Sequence, residues 1–262
     1  MLPTRLEIIP TRDIVPAVLA HVPAGTTLTV TCLPHHGINR TLEAAAALAG
    51  HGYTVVPHLA ARLVASRGEL ARILRICTAS GITEVFAIGG DGAAPAGPYP
   101  SSEALVRDLA ELGGGTLKIG VAGYPEGHPS ISGPQLLESL LAKQELASHV
   151  VTQMCFAATA IAGYMDGLRN EGVLLPVWAG VAGSVPRAKL LQLAAKIGVG
   201  SSLRFIAGKG ELGRKLLGGS RYQPAQLVAE LETQPLPPAG IHLYSFNNLD
   251  PQLRQQAAAS RR

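Results

Sequence analysis

Short apolar segments recur about every 25 to 30 residues along this chain, and they alternate with stretches whose apolar residues fall at three- and four-residue spacing. The short segments predict eight β-strands, at residues 6–10, 27–33, 53–58, 83–89, 117–123, 149–156, 174–181 and 241–246. The spaced stretches predict amphipathic helices, among them residues 42–49, 69–80, 102–112, 135–147 and 188–197.

Eight strands that alternate with helices predict an α/β fold, and they favour a single (β/α)8 TIM barrel over an open doubly wound sheet. A Rossmann sheet is the alternative, but no GxGxxG motif follows the first predicted strand. A length of 262 residues is ordinary for one barrel, and no linker divides the chain. We therefore expect one catalytic barrel domain over residues 1–262.

The interval between the seventh and eighth predicted strands is long. It contains a glycine-rich stretch at 208–219, a helical pattern at 223–232 and a proline-rich stretch at 235–238. This pattern predicts an extra helix and a loop over the barrel. The Gln/Ala/Arg-rich tail at 252–262 predicts a last helical turn or a frayed end.

Composition narrows the class of protein. Apolar residues make up 47% and charged residues 15%, which excludes an intrinsically disordered chain. The net charge of +4 owes part of its value to Arg261 and Arg262, and aromatic residues are only 4%, so we expect no nucleic-acid partner. No apolar run reaches the roughly 18 residues of a membrane span.

The cysteines and the N-terminus suggest a compartment. Cys32, Cys77 and Cys155 are odd in number, far apart and without CxxC spacing, so neither a disulfide scaffold nor a zinc site is expected. The first residues lack a signal-peptide layout. These features predict a cytoplasmic protein. The sequence does not distinguish a monomer from a homo-oligomer.

The most informative segment runs from residue 119 to 129, where an apolar strand ends at Gly123. Tyr124 and His128 follow within a loop that Pro125 and Pro129 stiffen. In α/β barrels, ligands bind at the carboxyl ends of the strands. The other predicted strand ends carry further candidates, namely Glu7, Thr31, His58, Gly90, Asp91, Thr152, Gln153, Tyr244 and Asn247.

Each candidate also has an ordinary structural reading. Glu7 lies in an apolar strand and would face solvent or, inside a barrel, would have to be protonated or partnered, as a general acid is. Asp91 could cap a turn, and His58 could be a buried core histidine. Gln153 is harder to dismiss, because a buried amide needs several hydrogen-bond partners. Lys143, on the helix before strand six, is either solvated or a phosphate ligand.

A metal site is not expected from the sequence. The adjacent His35 and His36 would suit a metal, but no acidic or cysteine partner is suitably spaced.

The sequence from Val121 to Pro129, Val-Ala-Gly-Tyr-Pro-Glu-Gly-His-Pro, resembles the signature of methylenetetrahydrofolate reductases of the bacterial, catalytic-domain-only type. The resemblance covers most of the chain in the same order. It includes Leu6-Glu7-Ile8-Ile9-Pro10, Val30-Thr31, Pro57-His58-Leu59, Gly90-Asp91, Thr152-Gln153 and Tyr244-Ser245-Phe246-Asn247. That family is a (β/α)8 barrel that carries FAD, so the implied fold agrees with the periodicity.

The resemblance implies a reaction and two catalytic residues. The reaction is reduction of 5,10-methylenetetrahydrofolate to 5-methyltetrahydrofolate, with NADH or NADPH as hydride donor and FAD as carrier. Glu7 would be the general acid that protonates N10 of the folate, and Asp91 would lie near the flavin and the pterin.

The resemblance also implies binding roles. Thr31, His58, Gly90, Asp91, Tyr124, His128 and Lys143 would contact FAD, with Lys143 at its phosphates. Gln153, Tyr244 and Asn247 would contact the folate. An S-adenosylmethionine-binding regulatory domain is not expected.

The chain departs from the family pattern at several positions near the implied cofactor. These are Ile8-Ile9 for an aromatic pair, Gly89 for Arg, Ser101-Ser102 for Tyr-Ala, Met154-Cys155 for an aromatic pair and Asn248 for Arg. Two alternatives therefore stay open. One is a flavin-independent reductase that passes hydride directly from NADH to the same substrate, and the other is a catalytically silent folate- or flavin-binding protein.

Overall fold

Eight parallel strands, hydrogen-bonded to one another in chain order, close into a barrel. The structure is a computed structural model that describes residues 1–91, 94–186, 190 and 221–249. The strands are β1 Thr4–Ile8, β2 Thr27–Val30, β3 Thr54–Ala60, β4 Glu84–Ile88, β5 Lys118–Gly123, β6 His149–Thr152, β7 Val177–Ala182 and β8 Gly240–Tyr244. The barrel closes where β1 pairs with β8, with Glu7 opposite Tyr244. This confirms the predicted (β/α)8 fold.

Helices follow the strands and cover the barrel. They are α1 Ile14–His21, α2 Gly37–Gly50, α3 Arg67–Ala79, α4 Ser102–Leu112, α5 Gly133–Leu141, α6 Ala158–Asn170 and, before β8, α7 Ala225–Glu232, with a 3₁₀ turn at Ala61–Leu63. Apolar faces such as Leu70, Ile73 and Cys77 of α3 are buried against the strands. Among the described helices, none combines the length and the apolarity that crossing a membrane would need.

Several predicted bounds differ from the observed ones. The strand predicted at 149–156 ends at Thr152, and beyond it only Cys155 forms an isolated bridge, to Val181 of β7. The helix predicted at 135–147 ends at Leu141, and Lys143 therefore lies in the turn that follows rather than on the helix. After Leu141 the chain continues in tight turns, most of whose hydrogen bonds join residues three apart. These turns keep a helix-like spacing of apolar residues, and the sequence pattern therefore predicts a longer helix than the one observed.

The remaining predictions concern the C-terminal part of the chain and the cysteines. The extra helix predicted at 223–232 is confirmed as α7, which begins after Pro224. The helix at 188–197, the stretch at 208–219 and the tail at 252–262 lie outside the described residues. The three cysteines are free and buried.

The interior of the barrel is a separate core from the layer between strands and helices. Val56, Phe86 and Val151 form its apolar middle, with Ala122 and Trp178 packed against them. Polar side chains occupy the barrel on both sides of this layer, so its interior is not the mainly branched-aliphatic filling usual for the fold.

The N-terminal end of the barrel holds a buried ionic cluster, here called the basal cluster, of Arg5, Glu84, His149 and Trp178. The Arg5 guanidinium binds the Glu84 carboxylate through both of its terminal nitrogens. Its Cζ lies 3.9 Å from the ring centroid of Trp178, and Nε2 of His149 lies 3.4 Å from Glu84. The Arg5 and Glu84 side chains are only 13% and 11% exposed, so each charge depends on the other.

Removing one charge of this pair should destabilise the fold strongly. In E84A, Arg5 becomes an uncompensated buried cation, and we expect the free energy of unfolding to fall by about 3 kcal/mol in urea titrations. The control is E43A, since the Arg40–Glu43 pair is exposed and about 0.5 kcal/mol is expected there. Equal, small losses in both variants would show that the basal cluster contributes nothing to stability.

Candidate active site

The centre of the candidate site is Glu7, near the C-terminal end of β1. Its Oε2 lies 3.0 Å from Nε2 of His242 on β8 and 3.8 Å from Nε2 of His58 on β3. Glu7 is buried inside the barrel, so the solvent-facing alternative for it is wrong. The structure thus brings together two residues that the sequence singled out, Glu7 and His58, and adds His242.

Burial sets the protonation of this group, here called the Glu7 triad (Glu7, His58, His242). Loss of hydration raises the pKa of Glu7 to about 7, against a smaller lowering effect of His58. Burial lowers the pKa of His58 to about 4 and that of His242 to about 3. Both imidazoles are therefore neutral near pH 7, where the carboxyl still holds a proton about half of the time. A carboxyl in this condition can act as a general acid.

The turn after β8 fixes the backbone of Glu7. Ser245 donates from both its backbone N–H and its hydroxyl to the carbonyl oxygen of Glu7. Asn247 accepts from the N–H of Ile9 at 2.7 Å and donates to the Ile9 carbonyl at 2.8 Å. Phe246 and Asn247 both adopt left-handed backbone angles, with φ of 50° and 59°, which cost energy in residues with side chains. The amide of Asn247, predicted to contact the folate, is thus engaged with the β1–α1 loop.

Tyr244 stands above His242 on the same strand, with ring centroids 4.9 Å apart. Its hydroxyl donates to the carbonyl of Thr152 at 2.9 Å, and the Thr152 hydroxyl accepts from the N–H of Gly180 at 2.8 Å. Gln153 folds its amide oxygen onto the N–H of Met154. No described residue accepts from the side-chain nitrogen of Gln153, which leaves its two N–H groups for a ligand.

The loop after β5 carries two of the predicted site residues, Tyr124 and His128. Gly127, with φ of 82°, donates from its N–H to the carbonyl of Tyr124 and closes a tight turn over Pro125. This turn places the rings of Tyr124 and His128 edge to face at 5.1 Å. Burial, and then the charge of Asp91, raise the pKa of Tyr124, so the structure brings Asp91 close to this loop.

Lys143 is a buried ammonium with 5% exposure. Its Nζ donates to the Ser102 hydroxyl at 3.2 Å, where α4 begins. Within the described ranges no carboxylate forms a salt bridge with it, and burial lowers its pKa to about 8. Its partners among the described residues are the Ser102 hydroxyl and, at longer range, the charge of Glu103. A buried cation beside a helix N-terminus, without a direct ion pair, suits an anionic ligand.

Two buried hydroxyls near the triad also lack partners. The Oγ1 atoms of Thr29 and Thr31 make no hydrogen bond in the described structure, although Thr31 is held in place by its N–H, which donates to the Ile8 carbonyl. Buried polar atoms without partners are uncommon and point to a ligand or water.

Sequence reasoning missed His242 and Ser245. The alternation of side chains along β8 could have indicated His242. Residues two apart point to the same side of a strand, and Tyr244 is a predicted site residue at the C-terminal end of the barrel.

Comparisons with known protein families and with solved structures give two further findings. A family model described as methylenetetrahydrofolate reductase matches residues 21–199. Among solved structures, one of oxaloacetate acetylhydrolase in complex with the product oxalate superposes with a TM-score of 0.58. It is 12% identical, with 99% of this chain and 79% of that chain covered, so the likeness concerns the fold alone.

Gly180 should tolerate no side chain, because a Cβ there would lie 2.3 Å from the Thr152 carbonyl and 2.9 Å from the ring of Tyr244. We expect G180A to lower the free energy of unfolding by about 1–3 kcal/mol in urea titrations. The matched control is G163A in α6, where a Cβ meets nothing within 4 Å and where about 0.5–1 kcal/mol of stabilisation is expected. A G180A protein as stable as wild type would contradict the tight packing of Tyr244.

The buried titratable groups should make the fold acid-labile. Below pH 6.5, His58, His149 and His242 take up protons in the unfolded chain first, because their folded pKa values are lowered, and stability falls. Glu7 opposes this, since its raised pKa makes the folded chain bind its proton first. Three protons against one leave an excess of two, so we expect a loss of roughly 2–3 kcal/mol per pH unit near pH 5.5.

This pH dependence is measured by urea titration between about pH 5 and 6.5. E7Q removes the opposing proton and should steepen the loss by about 1.4 kcal/mol per pH unit. A flat profile, or an E7Q profile parallel to that of wild type, would contradict the assigned protonation states.

Proposed function

Because the chain belongs to the methylenetetrahydrofolate reductase family, we propose that it reduces 5,10-methylenetetrahydrofolate to 5-methyltetrahydrofolate with NAD(P)H, through bound FAD. Membership of this family supports an oxidoreductase of folate one-carbon chemistry. The hydride donor, the hydride carrier and the residue roles are part of our proposal.

The observation that carries the proposal is the Glu7 carboxyl, which is buried inside the barrel with its Oε2 3.0 Å from Nε2 of His242 and 3.8 Å from Nε2 of His58. Burial there raises the pKa of Glu7 to about 7. Opening of the imidazolidine ring of the substrate requires a proton at N10 as the C–N bond breaks and the iminium forms. A buried carboxyl that is still half protonated at neutral pH can supply it, and an ordinary glutamate cannot. His242, at 3.0 Å, holds the carboxyl in one orientation by its hydrogen bond.

The described residues fit FAD. The unpartnered Thr31 hydroxyl and the buried ammonium of Lys143 suit a ligand such as a flavin with its diphosphate. In our proposal, Thr31, His58, Gly90, Asp91, Tyr124, His128 and Lys143 hold it. FAD held there would supply a hydride carrier between NAD(P)H and the methylene carbon of the substrate.

The remaining side chains orient the folate. Gln153 offers two N–H donors to the pterin, and Tyr244, fixed by Thr152, forms a wall of the pocket. Asp91 lies by Tyr124 and accepts hydrogen bonds from pterin or flavin N–H groups. The side-chain amide of Asn247 binds the backbone of Ile9 and Oγ1 of Thr11, so in our proposal it positions the β1–α1 loop rather than contacting the folate.

The first test is a visible absorption spectrum of the purified protein, before and after anaerobic addition of NADH. We expect a flavin spectrum that bleaches with NADH and returns when methylenetetrahydrofolate is added. A protein that stays colourless after incubation with FAD would overturn the flavin proposal. Loss of NADH in the presence of the folate would then identify direct hydride transfer, and no loss would identify a silent binder.

The second test replaces the acid. We expect E7Q to lose folate reduction by about 10²–10⁴-fold while NADH still bleaches the flavin, because only the folate step needs the proton. In wild type, kcat/KM for the folate should fall about tenfold per pH unit above pH 7, as Glu7 loses its proton.

The matched control is E43Q, a neutralised glutamate on the surface of α2, which should retain full activity. An E7Q enzyme that reduces the folate at the wild-type rate would refute the role of Glu7.

A further inference from the structure

The Glu7 triad has the composition of a metal-binding site as well as that of an acid site. One carboxylate and two imidazoles converge from β1, β3 and β8, and their ligand atoms all lie within 4.8 Å of one another. Around a tetrahedral ion bound at about 2.0–2.1 Å, two ligand atoms stand about 3.3 Å apart. The measured separations of Glu7 Oε2 from the two Nε2 atoms, 3.0 and 3.8 Å, bracket this value.

A second observation points to a ligand at the same place. Nε2 of His58 is fully buried and makes no hydrogen bond, although it is 3.8 Å from the carboxylate. His58 is 4% exposed, so bulk solvent does not reach this atom, and it calls for a ligand or a bound water. A neutral imidazole nitrogen without a partner carries a free lone pair or an idle proton, and coordination of a cation would use the lone pair.

The charge balance of the pocket leads to the same conclusion. Among the described salt bridges, Glu7 has only the two histidines as partners, and no permanent cation faces it. When it is ionised, Glu7 therefore leaves a buried negative charge that needs either a proton or a cation.

We propose that Glu7, His58 and His242 form an exchangeable site for a divalent transition-metal ion such as Zn²⁺, which binds in competition with the carboxyl proton. Binding forms one M–O and two M–N bonds and releases that proton to solvent. Two nitrogens and one oxygen suit Zn²⁺, Co²⁺ or Ni²⁺ rather than Mg²⁺ or Ca²⁺. The ion would leave Glu7 without a proton to donate, so the site is inhibitory. That last step rests on the proposed function, and the binding does not.

The surroundings of His242 explain why the site is exchangeable. Nδ1 of His242 is buried without a hydrogen-bond partner among the described residues, whereas histidines of permanent metal sites are usually oriented through this nitrogen. The geometry therefore offers three ligands but does not hold them as a resident cofactor requires.

Binding is tested by Zn²⁺ calorimetry on the full chain after treatment with a chelator. We expect one ion per chain, at least about 100-fold weaker binding in H58Q and H242Q, and a similar loss in E7Q. The matched control is H36Q, because His35 and His36 form the other adjacent histidine pair, with ring centroids 4.2 Å apart. Circular dichroism verifies that each variant is folded, and E7Q, the most conservative change, serves if a histidine variant is not.

The outcomes separate the two proposals. No binding by wild type, or binding that H36Q abolishes and E7Q keeps, would overturn the site. Inhibition of folate reduction by Zn²⁺ that a chelator reverses supports the competition, and full activity with the site occupied overturns it. If the chain proves to have no reductase activity, the calorimetric result still decides whether the metal binds.

Discussion

The pairing of β1 with β8 is the constraint on which the rest of the site depends. It sets Glu7 opposite Tyr244, two residues beyond His242, and so brings together side chains more than 230 positions apart in the chain. The backbone bonds from Ser245 and the amide of Asn247 hold this junction from above. Because the strand ladder is rigid, the carboxyl is positioned by the closure of the barrel rather than by a loop.

Much of this architecture could be predicted from the sequence. The alternation of short apolar runs with helical periodicity gives the eight strands, because each strand of a barrel must be buried on both faces. The segment from Tyr124 to His128 was equally readable, since Pro125 and Gly127 leave few turn conformations open. The conformation of such a turn depends on adjacent residues, so it can be predicted without knowledge of distant contacts.

Other features could not be read because they arise from distant contacts. No residue near Glu7 in the sequence indicates that His242 is its partner or that burial raises its pKa. Likewise, no residue near Asn247 indicates that its side-chain amide binds the β1–α1 loop. The turn after α5 that carries Lys143 differs from a helix only in its hydrogen-bond spacing. Patterns of polarity report which residues are buried, but the partners of a buried polar group are decided by register and closure.

The basal cluster has a consequence beyond holding the floor of the barrel together. Burial is the main reason that the pKa of His242 is lowered, but the positive charge of Arg5 adds to it. His242 in turn contacts the acid. The charge of Arg5 at the N-terminal end of the barrel therefore acts, through His242, on the acid at the opposite end, although an apolar layer lies between the two ends. A substitution at the floor that selection favours for stability would also retune the working pH of the chemistry at the opposite end.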